Sequence, residues 1–327
     1  MIKKRKLGKS DLNVSEIGLG GWQLGAPVQI NNKPGTSFGG LDEDTAYRII
    51  TTALELGVTT FDTADIYSLG NSEIRLGNIL KDYRSDVQIF TKAGHVPGFP
   101  KWSIDYSYNH LISAIDRSLS RLQTDYVDLF QIHYPPNSEE DYVSIEKAFN
   151  SIKSDSKASY CGISVGIHYD KAIEIIKRGI VDCIQLYFTL IDPKPLETLL
   201  PLAKKNNIGI IIAEPLAQGF LTNKYKPGHV FPNDDIRHHA YPNELLQLKL
   251  ERSKQFEFLQ NSNRSLSQAS LAYILSREEI STCIPGVKSL EQLNSNVDAS
   301  TIRLSSDELK KISIIQNNWK EGFSKTG

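Results

Sequence analysis

From residue 44 onward the apolar positions follow two alternating rhythms. In "DTAYRIITTALELG" (44–57), Ala46, Ile49, Ile50, Ala53 and Leu54 fall at i, i+3, i+4, i+7 and i+8, the apolar face of a helix. Gly57 follows, where a helix end favours a left-handed residue. "VTTF" (58–61) reads as a strand, being β-branched and aromatic. Asn71 or Ser72 is expected to cap a helix running to Leu80. "VQIFTK" (87–92) predicts the next strand, and "NHLISAIDRSLSRL" (109–122) a helix with Leu111, Ile112, Ile115, Leu119 and Leu122 inward. The alternation continues through strand "YVDLFQIH", a helix near 139–153, strand "YCGIS", a helix near 168–178, strand "CIQLY", a helix near 195–206 and strand "IGIIIA". Helices near 243–260 and 265–276, strand "TCIP" and a helix near 289–299 complete it. "IGLG" (17–20) begins the series, and a helix near 305–317 is additional.

Repeated βα units imply a parallel sheet with right-handed crossovers. Eight of them point to closure, so the expected fold is α/β: a (β/α)8 TIM barrel with a short N-terminal arm and extra C-terminal helices. A chain of 327 residues would otherwise suggest two domains. Single α/β barrels reach that size, and no linker interrupts this one, so residues 1–327 are read as one domain. Two connections are long for such a fold, "APVQINNKPGTSFGG" (26–40) and the stretch 219–243. Both follow strands that place them on the same barrel face. Substrate specificity is expected in loops 23–43, 93–108 and 219–243 and in the C-terminal tail "NNWKEGFSKTG", and Trp102, Tyr106 and Tyr108 give 93–108 an aromatic rim.

Composition narrows the function. Lys and Arg number 37 against 38 Asp and Glu, which gives no reason to expect a nucleic-acid or acidic-membrane partner. No apolar run approaches the ~18 residues of a membrane span. The basic start "MIKKRKLGKS" has no apolar stretch behind it, so it is read as a solvated arm rather than a secretory signal. Cys161, Cys183 and Cys283 are sparse and odd in number, which fits a reducing, cytoplasmic setting without disulfides. His229, His238 and His239 lack H-E-x-x-H or C-x-x-C company, so no metal site is expected.

Chemistry in such barrels sits at the C-terminal ends of the strands. There the apolar runs break at Asp62, with Tyr67 five residues on, at Lys92 and at His133. Singly, each has a plainer explanation: a turn cap, a half-buried aromatic, a lysine reaching the rim, a structural histidine. Four in register at one rim make a proton-transfer site. A lysine cation beside the phenol is expected to lower its pKa, with Asp62 keeping that lysine charged. His133 would orient a carbonyl oxygen. Such a set protonates a developing alkoxide but supplies no hydride, so a reduction needs a cofactor.

"GVTTFDTADIYSLGNSEIRLG" (57–77), "TKAG" (91–94), "LFQIH" (129–133), "GIS" (162–164), "PLAQGFLTNKY" (215–225) and "IPGVKSLEQLNSN" (284–296) resemble, in order, the signatures of the aldo-keto reductase superfamily. The resemblance implies a barrel that binds extended NADP(H), with NAD(H) as the alternative, and reduces an aldehyde or ketone. The lack of a complete G-x-G-x-x-G in "GLGGWQ" agrees with it. By matching motif it makes Tyr67 the general acid, tuned by Lys92 and Asp62, with His133 on the carbonyl. Trp22 would line the pocket, and Ser164 and Gln185 would hold the carboxamide. Leu216, Gly219, Leu221 and Lys224 would hold the pyrophosphate, Lys288 and Ser289 the 2′-phosphate, and Gln292 and Asn296 the adenine. Gly21, Pro215 and Gly286 join the cofactor contacts. The chain departs from the family pattern at Val165, at Phe188-Thr189 and at Ala213-Glu214. The implied partner is a small carbonyl or sugar-like substrate, and the default state a monomer. Oxidation of a sugar or alcohol, a cofactor-occupied regulatory subunit and a Schiff-base role for Lys92 are the competing readings.

Overall fold

The computed structural model describes residues 2–26, 29–30, 33–34, 40–96, 103–226, 228–231, 235, 237–238 and 241–323. Eight strands among them form one parallel sheet in chain order: β1 (Leu19–Gly20), β2 (Thr60–Asp62), β3 (Gln88–Ala93), β4 (Val127–Ile132), β5 (Ala158–Gly166), β6 (Cys183–Tyr187), β7 (Gly209–Ala213) and β8 (Thr282–Cys283). Parallel bridges Ile17–Cys283 and Gly20–Gly286 join its two edges. The Gly18 amide donates to the Cys283 carbonyl at 2.8 Å and that of Gly20 to the Pro285 carbonyl at 3.2 Å. The sheet is therefore a closed (β/α)8 barrel. At the seam only glycine fits: a Cβ on Gly20 would lie 2.7 Å from the Ile284 carbonyl oxygen.

The helices are α1 (Glu43–Glu55), α2 (Asn71–Leu80), α3 (Tyr108–Leu122), α4 (Glu139–Ser154), α5 (Tyr169–Arg178), α6 (Leu199–Lys205), α7 (Asn243–Lys254), α8 (Leu266–Leu275), α9 (Leu290–Asp298) and α10 (Ser306–Phe323). α1 buries Ala46, Ile49, Ile50 and Ala53, as its periodicity predicts, and Gly57 takes φ +84° just past its end. α3 buries Leu111, Ile115, Leu119 and Leu122, while Ile112 is only partly covered. Three expected helices differ in extent. The 195–206 segment divides into a turn at Lys194–Leu196 and α6; 243–260 divides into α7 and a turn at Glu257–Leu259; α10 continues to Phe323.

Asn71 and Ser72 do not cap α2. Gly70, at φ +87°, occupies the cap with no side-chain hydrogen bond. Asn71 Oδ1 instead accepts from the Ala26 amide at 2.8 Å, and Ser72 Oγ donates to the Gly21 carbonyl at 2.8 Å. Tertiary partners in the turn after β1 replace the local amides.

The N-terminus is not a solvated arm. Lys4–Lys6 and Asn13–Ser15 pair antiparallel into a hairpin. Its Leu7 and Val14 pack with Phe90, Leu129, Cys183, Ile211 and Ile284, closing the lower end of the barrel. Arg5 donates to the carbonyls of Leu275, Arg277 and Ile280 at 2.6–3.0 Å and pairs with Glu16 at 2.9 Å. The basic run thus ties carbonyls left open between α8 and β8. Within the two upper loops, Gln29–Ile30 pairs with Lys33–Pro34, and His95–Val96 with Ser103–Ile104. Tyr106 and Tyr108 do not form a rim: Tyr106 is buried against Gly94 and donates to the Tyr134 carbonyl, and Tyr108 starts α3 and bonds Ser151. Trp102 and His239 lie outside the described residues.

Because Leu7 is 1% exposed inside the barrel floor, Leu7→Ala should cost about 2–5 kcal/mol of stability in urea denaturation.

Candidate active site

Period-two alternation stacks the barrel interior in layers. Phe90, Leu129 and Cys183 form the apolar floor. Two residues on along the same strands come Lys92, Gln131 and Gln185, joined by Asp62 from β2. Lys92 is 1% exposed. Its ammonium donates to Asp62 Oδ2 at 2.6 Å, to the Thr63 carbonyl at 2.9 Å and to the Tyr67 hydroxyl at 3.4 Å, which uses all three of its protons. Burial destabilises both charges, pushing Lys92 down and Asp62 up, and their contact opposes it. Gln131 and Gln185 flank Asp62. The Gln131 amide, Gln185 Oε1 and Asp62 Oδ1 are buried with no hydrogen-bond partner.

Tyr67 stands above this layer on a tight turn. Its amide donates to the Ala64 carbonyl, and Ser68, Leu69 and Gly70 all take positive φ behind it. The Trp22 ring meets it edge-on at 5.0 Å and the His133 ring at 5.4 Å. The phenol is pushed well above its usual pKa by burial and by the charges of Asp62, Tyr187 and Glu214. This reverses the expectation that Lys92 lowers it. The ammonium is committed to Asp62, and its 3.4 Å approach to the hydroxyl does not offset desolvation. His133, at the end of β4, is pushed well below its usual value by burial, then by Lys92 and His95, so the imidazole is neutral. The four expected residues are therefore brought together as a protonated phenol, an ion pair beside it and a neutral imidazole.

The other expected residues fall into two groups. Gly21, Trp22, Ser164 and Gln185 lie at this rim. A Cβ on Gly21 would come within 2.6 Å of the Asp62 carbonyl oxygen, and Ser164 pairs with Gln185 across β5 and β6. Val165 is buried at a bulge beside them. The second group follows β7 and β8. Pro215 and Leu216 lead into a turn over Ala217–Thr222, with Glu214, Ala217, Gln218 and Gly219 at positive φ. The amides of Gly219 and Leu221 both donate to the Leu216 carbonyl, so they are turned into the loop. Gly286 sits at the barrel seam. Ser289 caps α9 by accepting from the Gln292 amide, and Gln292 Oε1 accepts from the Lys288 amide. Asn296 is buried. Burial, Arg237 and Lys224 push Lys288 down, so three cations gather beside the start of α9.

Sequence reasoning missed four neighbours. Gln131 was accessible through alternation, two residues before His133. His95 and Arg237 carried no local signal, and Glu214 stood out only as a departure from the family pattern. Gln218 donates to both Glu214 oxygens, at 2.9 and 2.8 Å, and burial raises that carboxyl above its usual range. Arg237 pairs with Asp235 and reaches the Tyr225 hydroxyl and the Gln218 carbonyl. Among the described residues no cluster of His, Cys, Asp or Glu could hold a metal, and no helix is long and apolar enough to cross a membrane.

The model of the aldo/keto reductase family matches residues 16–317. The chain is 32% identical over 335 residues to the uncharacterized oxidoreductase YqkF of Bacillus subtilis, covering 99% of each. It is 32% identical over 309 residues to L-galactose dehydrogenase of Arabidopsis thaliana, covering 92% of this chain and 88% of that one. The solved holo form of an aldo-keto reductase from Bacillus halodurans superposes with a TM-score of 0.79 at 30% identity, covering 96% of each chain.

Asp65 lies in the same turn, its amide on the Lys92 carbonyl at 3.0 Å. Burial and then Glu73 push its carboxyl from 3.8 up to about 7, against Arg121 and Arg117. The folded state therefore binds the extra proton between pH ~4 and ~7, and stability falls as pH rises through that window. Asp65→Asn should lose this slope, by about 2–4 kcal/mol across the window, in denaturant midpoints measured at pH 5 and pH 8.

Proposed function

This chain belongs to the aldo/keto reductase family, and from that premise we propose that it is an NADP(H)-dependent oxidoreductase reducing an aldehyde or ketone to the alcohol. The reading rests on one observation: a lysine ammonium that touches both a buried carboxylate and the Tyr67 phenol, with a neutral imidazole beside them. Tyr67 gives its proton to the carbonyl oxygen as charge develops there. The phenolate left behind faces Lys92, whose own charge is held by Asp62. His133 orients the carbonyl through a hydrogen bond.

The residues fit a nicotinamide dinucleotide. Gln185 Oε1 is buried without a partner beside Ser164, as a carboxamide-binding group should be. Lys224, Arg237 and Lys288 gather cations near the start of α9, which suits phosphate. Lys288 and Ser289 favour NADP(H) over NAD(H). When bound, the cofactor supplies the hydride. The substrate is a small carbonyl compound, and the protein acts as a monomeric barrel domain in the cytoplasm, where its three buried, free cysteines stay reduced.

Tyr67→Phe should lower kcat with NADPH and a reactive aldehyde by about 10²–10⁴ while NADPH binding, read by nucleotide fluorescence, persists. Unchanged turnover in that variant would sink the mechanism. Lys288→Glu should raise the NADPH dissociation constant by about tenfold or more and that of NADH much less.

A further inference from the structure

Beyond Lys92, β3 ends in a sharp reversal. Gly94 takes φ +113°, and a Cβ there would lie 3.1 Å from the Tyr106 ring, so the turn needs glycine. The Gly94 carbonyl accepts from the Asp105 amide at 2.9 Å, and His95–Val96 pairs with Ser103–Ile104. This short ribbon fixes the backbone of His95 and sets its ring edge-on against His133, with centroids 5.0 Å apart and planes at 88°. Tyr134 stands 6.1 Å from it, itself held by a 2.6 Å hydrogen bond to His168 Nε2.

A structural histidine usually satisfies its buried nitrogen. His95 does not: its Nδ1 is buried with no hydrogen-bond partner, and the same is true of His133. Such a group left unpaired in a fold costs about 1–3 kcal/mol, so two in contact mark a site. Burial pushes His95 below its usual value, so it is neutral. With no protein partner to fix either tautomer, each ring can donate or accept. Both residues are half-buried, so neither is sealed in the packed core.

We propose that His95 is a specificity-determining residue that, beside His133, binds a substrate carrying a second oxygen on the carbon next to the reacting carbonyl. This rests on the reading of Tyr67 and His133 given above. Oxygens on neighbouring carbons lie within a hydrogen-bond length of one another, a spacing that two imidazoles in van der Waals contact can span. His133 takes the reacting oxygen next to Tyr67, and His95 takes the neighbouring hydroxyl or carbonyl. A substrate with a methyl group at that place leaves His95 unpaired in a desolvated pocket, which is how a hydrogen-bonding site rejects an apolar isostere.

The test compares 2-hydroxypropanal with 2-methylpropanal, which differ by hydroxyl for methyl, using NADPH and the full chain. The readout is the ratio of their kcat/KM values, so that general damage to the enzyme cancels. His95→Phe should lower this ratio by about tenfold, and His95→Gln, which keeps an amide at the reach of the ring, should restore most of it. Retained NADPH binding shows that both variants fold. A ratio unchanged within twofold in His95→Phe, or an equal fall for both aldehydes, overturns the proposal and leaves His95 as packing behind His133. If the wild type reduces neither aldehyde while binding NADPH, the reductase reading itself fails and this inference fails with it. A wild type that is active, loses turnover in Tyr67→Phe and keeps its ratio in His95→Phe separates the two.

Discussion

The structure turns on one buried ion pair. An ammonium with 1% exposure in a barrel interior is stable only because Asp62 lies 2.6 Å away and the Thr63 carbonyl takes a second proton. Such a pair contributes little net stability, but removing one partner leaves an uncompensated charge worth about 3–5 kcal/mol. Adjacent parallel strands supply the two partners, and the hairpin below supplies the dryness. Leu7 and Val14 complete the apolar floor. The same desolvation raises the Tyr67 phenol and neutralises His133 and His95. One physical condition therefore acts on Tyr67, His133 and His95 alike.

Backbone strain concentrates at the same end. Ser68, Leu69 and Gly70 form one run of positive φ behind Tyr67; Glu214, Ala217, Gln218, Gly219 and Asn223 form another after β7. Non-glycine residues in this region cost of order 1–3 kcal/mol each and persist where neighbours over-determine them. At the second run the neighbours are visible: Gln218 grips Glu214, Tyr241 donates to Gln218, and Arg237 reaches the Gln218 carbonyl. The loop read from sequence as a pyrophosphate cradle is thus held by side chains well beyond its own motif.

The barrel was legible because its evidence is periodic and local. Apolar runs, their breaks and their number are written along the chain, and the breaks at Asp62, Lys92 and His133 fall where strands end. What was not legible depends on partners far away in sequence. Asn71 and Ser72 are good caps by type, yet each found a tertiary group. Tyr106 has the composition of a rim residue, yet fills the space under a glycine. The direction of the Tyr67 shift needs the balance between burial and a lysine already engaged. His95 and Arg237 stand in long connections, where residue type alone does not tell a solvated loop from a wall.

The barrel seam has a consequence for how the chain comes to be folded. Arg5 bonds carbonyls 270 to 275 residues further along, and β1 finds its second neighbour only in Thr282–Gly286. During synthesis the first strand therefore waits, with one edge unpaired and the floor hairpin lacking its anchors, until the segment through Gly286 has been made. Contacts of this span make closure slow and late. An edge left unpaired for that interval is the kind of surface at which strands of two copies mispair.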